Sequence, residues 1–285
     1  MEWLTRLPVI GPLISRLMRT HAWRSYETLD RVKWTRLAAA ITFTSFVALF
    51  PLLTVGAAIG AAVLSEERMR DVERRLAEQV PGISGQLDLS ALTENAGTVG
   101  VVAGALLLFT GIGWIGSLRE CLRAVWEKEE SPGNPVLVKL KDGALLLGLG
   151  GAALTSLACS VFASAAVSWV VGKAGLDGVG ALLTVAGFCI AVLADFLLML
   201  YVLSRLPGVM PPARRLVVGA LIGAIGLEVL KLLLGGYLRG VAAKSMYGAF
   251  GTPIALLLWI NFMARLTLFC AAWTATPSEK ADRKA

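Results

Sequence analysis

Four ionisable side chains, Asp195, Glu228, Lys231 and Arg265, stand inside stretches otherwise apolar enough to cross a membrane. A charge at the centre of a bilayer costs about 2.5–3.5 kcal/mol on insertion scales, so such residues take partners or line a water-filled cavity. Glu228 and Lys231 are three residues apart, which places them on one helix face. Asp195 and Arg265 each fall on the inner side of the midpoint of their spans, so they are expected near enough to pair directly or through water, while Glu228 and Lys231 can pair along their own helix. Two kinds of chemistry follow. Ion pairs can simply lock a helical bundle. Alternatively, the charges line a polar path between the first, fourth, fifth and sixth spans, where cations hold an anionic headgroup and a neighbouring carboxylate takes a proton to release it. On the residues alone both readings stay open.

Other chemistries find less support. His21 is the one histidine in the chain, so there is no histidine pair for a metal or a proton relay, and it is expected at the surface. Cys121, Cys159, Cys189 and Cys270 have no CxxC spacing and read as packing residues; no metal site and no cofactor are expected. Gly111-Ile112-Gly113-Trp114-Ile115-Gly116 matches GxGxxG without a preceding strand, so close helix packing accounts for it better than dinucleotide binding. Glu120, Glu127, Glu129 and Glu130 have no histidine or nucleophile beside them and read as salt-bridged surface charge.

The elements that must position the four charges are membrane spans. Of 285 residues 56% are hydrophobic and 16% charged, and mean hydropathy is +0.70, against about 25% charged residues in soluble domains. The reading is an all-α, polytopic membrane protein with six spans at about 37–65, 95–118, 143–172, 178–204, 216–238 and 252–275. Residues 1–36 interleave arginines with Trp3, Trp23, Tyr26 and Trp34 as an interfacial amphipathic segment, where cations meet anionic headgroups. Residues 66–94 form an amphipathic external loop, and 277–285 a short tail. Pro51 lies inside the first span, where it predicts a kink and a candidate hinge. Most of the 27 Lys and Arg fall on the side of the chain termini. The net charge of +7 therefore reads as positive-inside bias, with both termini cytoplasmic, rather than as a nucleic-acid surface. The first span is expected to serve as an uncleaved signal.

Tyr247-Gly248-Ala249-Phe250-Gly251, followed by a leucine-rich segment ending in Trp259, is the most specific motif. With Ala38 to Leu53, Gly116 to Glu130 and the Glu228 and Lys231 pair, it resembles the YihY/BrkB family of bacterial inner-membrane proteins, once labelled ribonuclease BN. The resemblance covers nearly the whole chain and implies a multi-pass inner-membrane protein. Where the family commonly has a glutamate in an Ala-Glu-Leu-Asn-like stretch, this chain reads Ala271-Ala272-Trp273-Thr274. Three functions are weighed: a protein that moves a lipid or amphipathic anion, a structural or envelope-assembly protein, and the nuclease of the older label. The third lacks a soluble domain, a histidine cluster and a carboxylate set with metal-ligand spacing. The expected partners are membrane lipids, and several GxxxG-type faces permit a homo-oligomer.

Overall fold

The computed structural model describes residues 18, 20–63, 96–128, 134–151, 179–240 and 248–277, and every regular element among them is an α-helix. In chain order these are α1 (His21–Arg31), α2 (Trp34–Val63), α3 (Ala96–Val125), α4 (over 135–151), α5 (Val179–Arg205), α6 (Ala213–Gly240) and α7 (Gly248–Ala275). The N-terminal 17 residues, the expected external loop 66–94, the third span beyond 151, Tyr247 and the tail from 278 lie outside the described residues.

Among the described residues five helices are long and apolar enough to cross a membrane, over Trp34–Leu52, Gly104–Val125, Gly187–Arg205, Ala213–Leu233 and Pro253–Ala275. They match the expected first, second, fourth, fifth and sixth spans. At about 1.5 Å per residue, the 28 residues of α7 reach about 42 Å. That is the thickness of a bilayer with its headgroups, about 40–45 Å. Many large apolar side chains face outward, among them Phe43, Phe109, Leu147 and Leu232. Lipid is the solvent for which such a surface is made.

Two boundaries differ from expectation. α3 runs on to Val125 instead of stopping near 118, and α4 is already helical at 135. Leu118, Cys121, Leu122 and Val125, at a spacing of three, four and seven, bury one side of this extension. Arg119, Glu120 and Arg123 are therefore carried on a helix, and charge did not end it.

α7 touches α1, α2, α3, α5 and α6. It is the centre of the bundle, and the reason is small side chains. On α6, a Cβ added at Gly223 would stand 2.7 Å from Met199 Cγ, and one at Gly226 would stand 2.6 Å from Leu266 Cδ2. Real Cβ atoms do not approach so closely, so glycine at these positions lets α5 and α7 sit against the α6 backbone. A Cβ at Gly111 would meet Leu146 at 2.7 Å and one at Gly116 would meet Asp142 at 3.2 Å, so these two glycines of α3 serve packing against α4, whereas Gly104 and Gly113 face open space. Pro51 lies within α2 and Pro253 in the second turn of α7.

One face of the bundle gathers α1, the ends of α3, α5 and α7, and the starts of α2, α4 and α6. His21 Nε2 lies 2.9 Å from the carbonyl of Trp273 and its ring meets Trp273 edge-on at 4.5 Å. Arg123 donates to the Pro207 carbonyl at 3.0 Å, and Arg215 to the Thr276 carbonyl at 2.8 Å. His21, expected at the surface, is instead docked on α7. This basic face carries both ends of the described chain.

Candidate functional site

Glycine contacts set the depth at which each charge stands. Leu203 packs at Gly219 and Met199 at Gly223, and continuing that antiparallel register along α5 and α6 brings Asp195 level with Leu227. Lys231 is then one turn farther from the basic face. Helical side chains lean toward their own N-terminus, so Asp195 on α5 and Lys231 on α6 lean toward each other and close that turn. Lys231 Nζ donates to Asp195 Oδ2 at 2.7 Å and to Glu228 Oε1 at 3.0 Å. Both carboxylate side chains are 13% exposed and the lysine is 45% exposed. The result is one cation clamped by two carboxylates, a cluster with a formal charge of −1.

The Glu228–Lys231 pair is as the sequence predicts. The predicted pairing of Asp195 with Arg265 is not formed, because Lys231 occupies the aspartate. Arg265 takes a different set of neighbours. Its Nε donates to Asn261 Oδ1 at 2.9 Å, while Asn261 Nδ2 donates to Thr42 Oγ1 at 3.0 Å. The guanidinium carbon sits 5.3 Å from the centre of the Trp34 ring, a distance at which ring and cation attract. Among the described residues no carboxylate lies within salt-bridge reach of Arg265, and its terminal amines donate to nothing.

Arg265 nevertheless stands at nearly the depth of Glu228, since Leu266 packs at Gly226. The two cations are turned to opposite sides of the bundle: Lys231 into the α5–α6 seam, Arg265 toward α2. A further polar link lies beside that second seam, where Trp114 Nε1 donates to Ser45 Oγ at 2.8 Å. Trp259, at the end of the motif that opens α7, has a buried Nε1 without a hydrogen-bond partner among the described residues. Gly248, Phe250 and Gly251 lie in the first turn of α7.

Several residues of these seams carry no charge and were not singled out from the sequence. Asn261 precedes Arg265 by four residues, which places the pair on one helix face and was a readable signal. Thr42 and Ser45 had none. Arg119 and Asp142 also form a pair not foreseen, with Nε 2.8 Å from Oδ1 and Nη2 3.4 Å from Oδ2. Their side chains are 12% and 4% exposed. Among the described residues no three His, Cys, Asp or Glu side chains converge on a metal-sized site.

Long apolar helices, an outward-facing apolar surface and charges held between helices define a polytopic helical membrane protein. Comparison with known proteins gives the family: residues 25–285 match the model described as Virulence factor BrkB, and the chain belongs to that family. It is 32% identical to the inner membrane protein YhjD of Escherichia coli K12 over 295 residues, covering 99% of this chain and 85% of that one. It is 29% identical to a UPF0761 membrane protein of Neisseria meningitidis serogroup B over 289 residues, covering 96% and 67%. No solved structure matches the chain.

Proposed function

We propose that this protein moves a lipid or amphipathic anion across the bacterial inner membrane, with Arg265 as the cation that receives its charged group. The observation that carries the reading is the inequality of the two cations. Lys231 is already neutralised by Asp195 and Glu228, whereas Arg265 is held by a neutral amide and a ring and keeps its terminal amines uncommitted among the described residues. An intramembrane cation without a counter-charge is costly, and an anionic headgroup is the complementary species. The relative named as an inner membrane protein supports the location. The positive-inside rule supports a cytoplasmic basic face, hence cytoplasmic termini. On this reading the chain is not an enzyme, requires no cofactor and does not act on nucleic acid.

The test is lipid movement in liposomes containing the purified chain, using labelled phosphatidylglycerol beside labelled phosphatidylcholine. Arg265→Gln keeps the bond to Asn261 within reach and removes the charge, and it should lower movement of the anionic lipid about tenfold or more. Movement unchanged in a folded Arg265→Gln protein would overturn the assignment. A second reading, an architectural or envelope-assembly protein without transport, draws on the Asp195–Lys231–Glu228 and Arg119–Asp142 groups, whose cations are held by protein carboxylates rather than by a ligand. Exchanging Glu228 and Lys231 separates the two. A lysine at 228 is level with Asp195 and can still pair, so folding should persist while a directional path is impaired.

A further inference from the structure

The basic face holds a second site, separate from Arg265. A pocket of about 390 Å³ opens between α1 and the end of α7, lined by Arg24, Glu27, Thr28, Arg31, Thr276 and Pro277. Its volume lies within the range of small-molecule sites, about 300–1,000 Å³. The four α1 residues, at 24, 27, 28 and 31, form a single helical stripe beside the end of α7, with Thr28 buried, Arg24 half-buried, and Glu27 and Arg31 exposed at the pocket mouth.

The polar atoms of the pocket are not equivalent. The Thr28 and Thr276 hydroxyls, 3.4 Å apart, give their protons to the helix carbonyls of Arg24 and Ala272. The Glu27 carboxylate accepts from Trp23 Nε1 at 2.7 Å. Arg31 reaches Thr28 Oγ1 at 3.3 Å and an exposed carboxylate of Glu127 at 3.7 Å. Arg215 adjoins the floor, where its bond to the Thr276 carbonyl offsets the negative end of the α7 dipole. The pocket wall thus bears the guanidinium groups of Arg24 and Arg31 beside the Glu27 carboxylate, with Glu127 reaching Arg31 from outside the lining. Tyr26 and Trp34 meet edge-on at 6.4 Å where α1 joins α2.

We infer that this pocket binds a phosphate-bearing anion at the membrane surface, with Arg24 and Arg31 supplying the guanidinium forks. Planar forks match phosphate oxygens in a way an ammonium does not. Two sources share this chemistry, a phospholipid headgroup and a soluble phosphomonoester.

The experiment uses the purified full chain in nonionic detergent, offered equal phosphatidylglycerol and phosphatidylcholine. Lipid retained per chain is read by native mass spectrometry, and a second arm adds glycerol phosphate. The native chain should retain phosphatidylglycerol preferentially. Each guanidinium near a charged surface is worth about a fivefold change, so the double variant Arg24→Gln, Arg31→Gln should lose about 30-fold. Glu27→Gln should strengthen retention, a sign that general loss of structure cannot produce. Displacement by millimolar glycerol phosphate would assign the site to soluble phosphomonoesters, and retention in its presence would assign it to the headgroup. Undiminished preference in the double variant, checked for folding by size-exclusion chromatography and circular dichroism, would overturn the proposal. So would a preference lost with Arg265→Gln but not with the double variant, since it would then belong to the intramembrane site.

Discussion

Replacing Lys231 by methionine keeps the length of the side chain and removes the charge that Asp195 and Glu228 share. Both carboxylate oxygens touch the same nitrogen, at 2.7 and 3.0 Å, so they are within about 6 Å of each other, and at an effective dielectric of about 20 their repulsion is about 3 kcal/mol. Breaking a buried pair costs about 3–5 kcal/mol. Lys231 is half exposed, which places the expected loss toward the lower end, about 2–3 kcal/mol. The sign can be checked internally. Because the cluster has one carboxylate too many, Glu228→Gln alone should cost less than about 1 kcal/mol, and in the Lys231→Met protein it should restore much of what was lost. Thermal unfolding in detergent, followed by tryptophan fluorescence, is the assay. At about 2–4 °C per kcal/mol for a chain of this size, Lys231→Met should melt about 4–12 °C lower. An unchanged midpoint, or no recovery in the double variant, would refute the clamp.

Asp142→Asn leaves the Arg119 guanidinium, 12% exposed, with the exposed Glu120 carboxylate at 3.6 Å as its remaining ion-pair partner, and should cost about 2–3 kcal/mol by the same unfolding assay because the partner lost is the buried one. Gly226→Val places branched methyls where Leu266 Cδ2 already stands 2.6 Å from a Cβ position; overpacking of this kind costs about 1–3 kcal/mol, and a compensating Leu266→Ala in the same chain should recover part of it.

The spans were legible because a membrane imposes one requirement, a sufficient uninterrupted apolar length, and α2, α5, α6 and α7 satisfy it within a few residues. The polar seams were legible only in part. The i to i+3 pairing of Glu228 with Lys231 is local, and helix geometry delivers it whatever the neighbours do. Asp195 chose between two cations on different helices. That choice rests on side-chain lean and on the rotation of each helix about its axis, which glycines 223 and 226 fix through contacts that no spacing along one segment reveals. His21 is similar: its type suggested a surface residue, but the carbonyl of Trp273 at the end of α7 gave it a partner 252 positions away.

That rotation of α7 is also what separates the two polar seams. Gly219, Gly223 and Gly226 draw one side of α7 against α6 through Cys270 and Leu266, so Arg265, one position before Leu266, is turned away from Glu228 although they share a depth. Had α7 been rotated to bring them together, the four charges would form one closed, neutral network, and no intramembrane cation would be left without a counter-charge. As built, the α5–α6 seam holds a surplus negative charge and the α2–α7 seam a positive one. The packing glycines thus keep apart charges that would otherwise cancel.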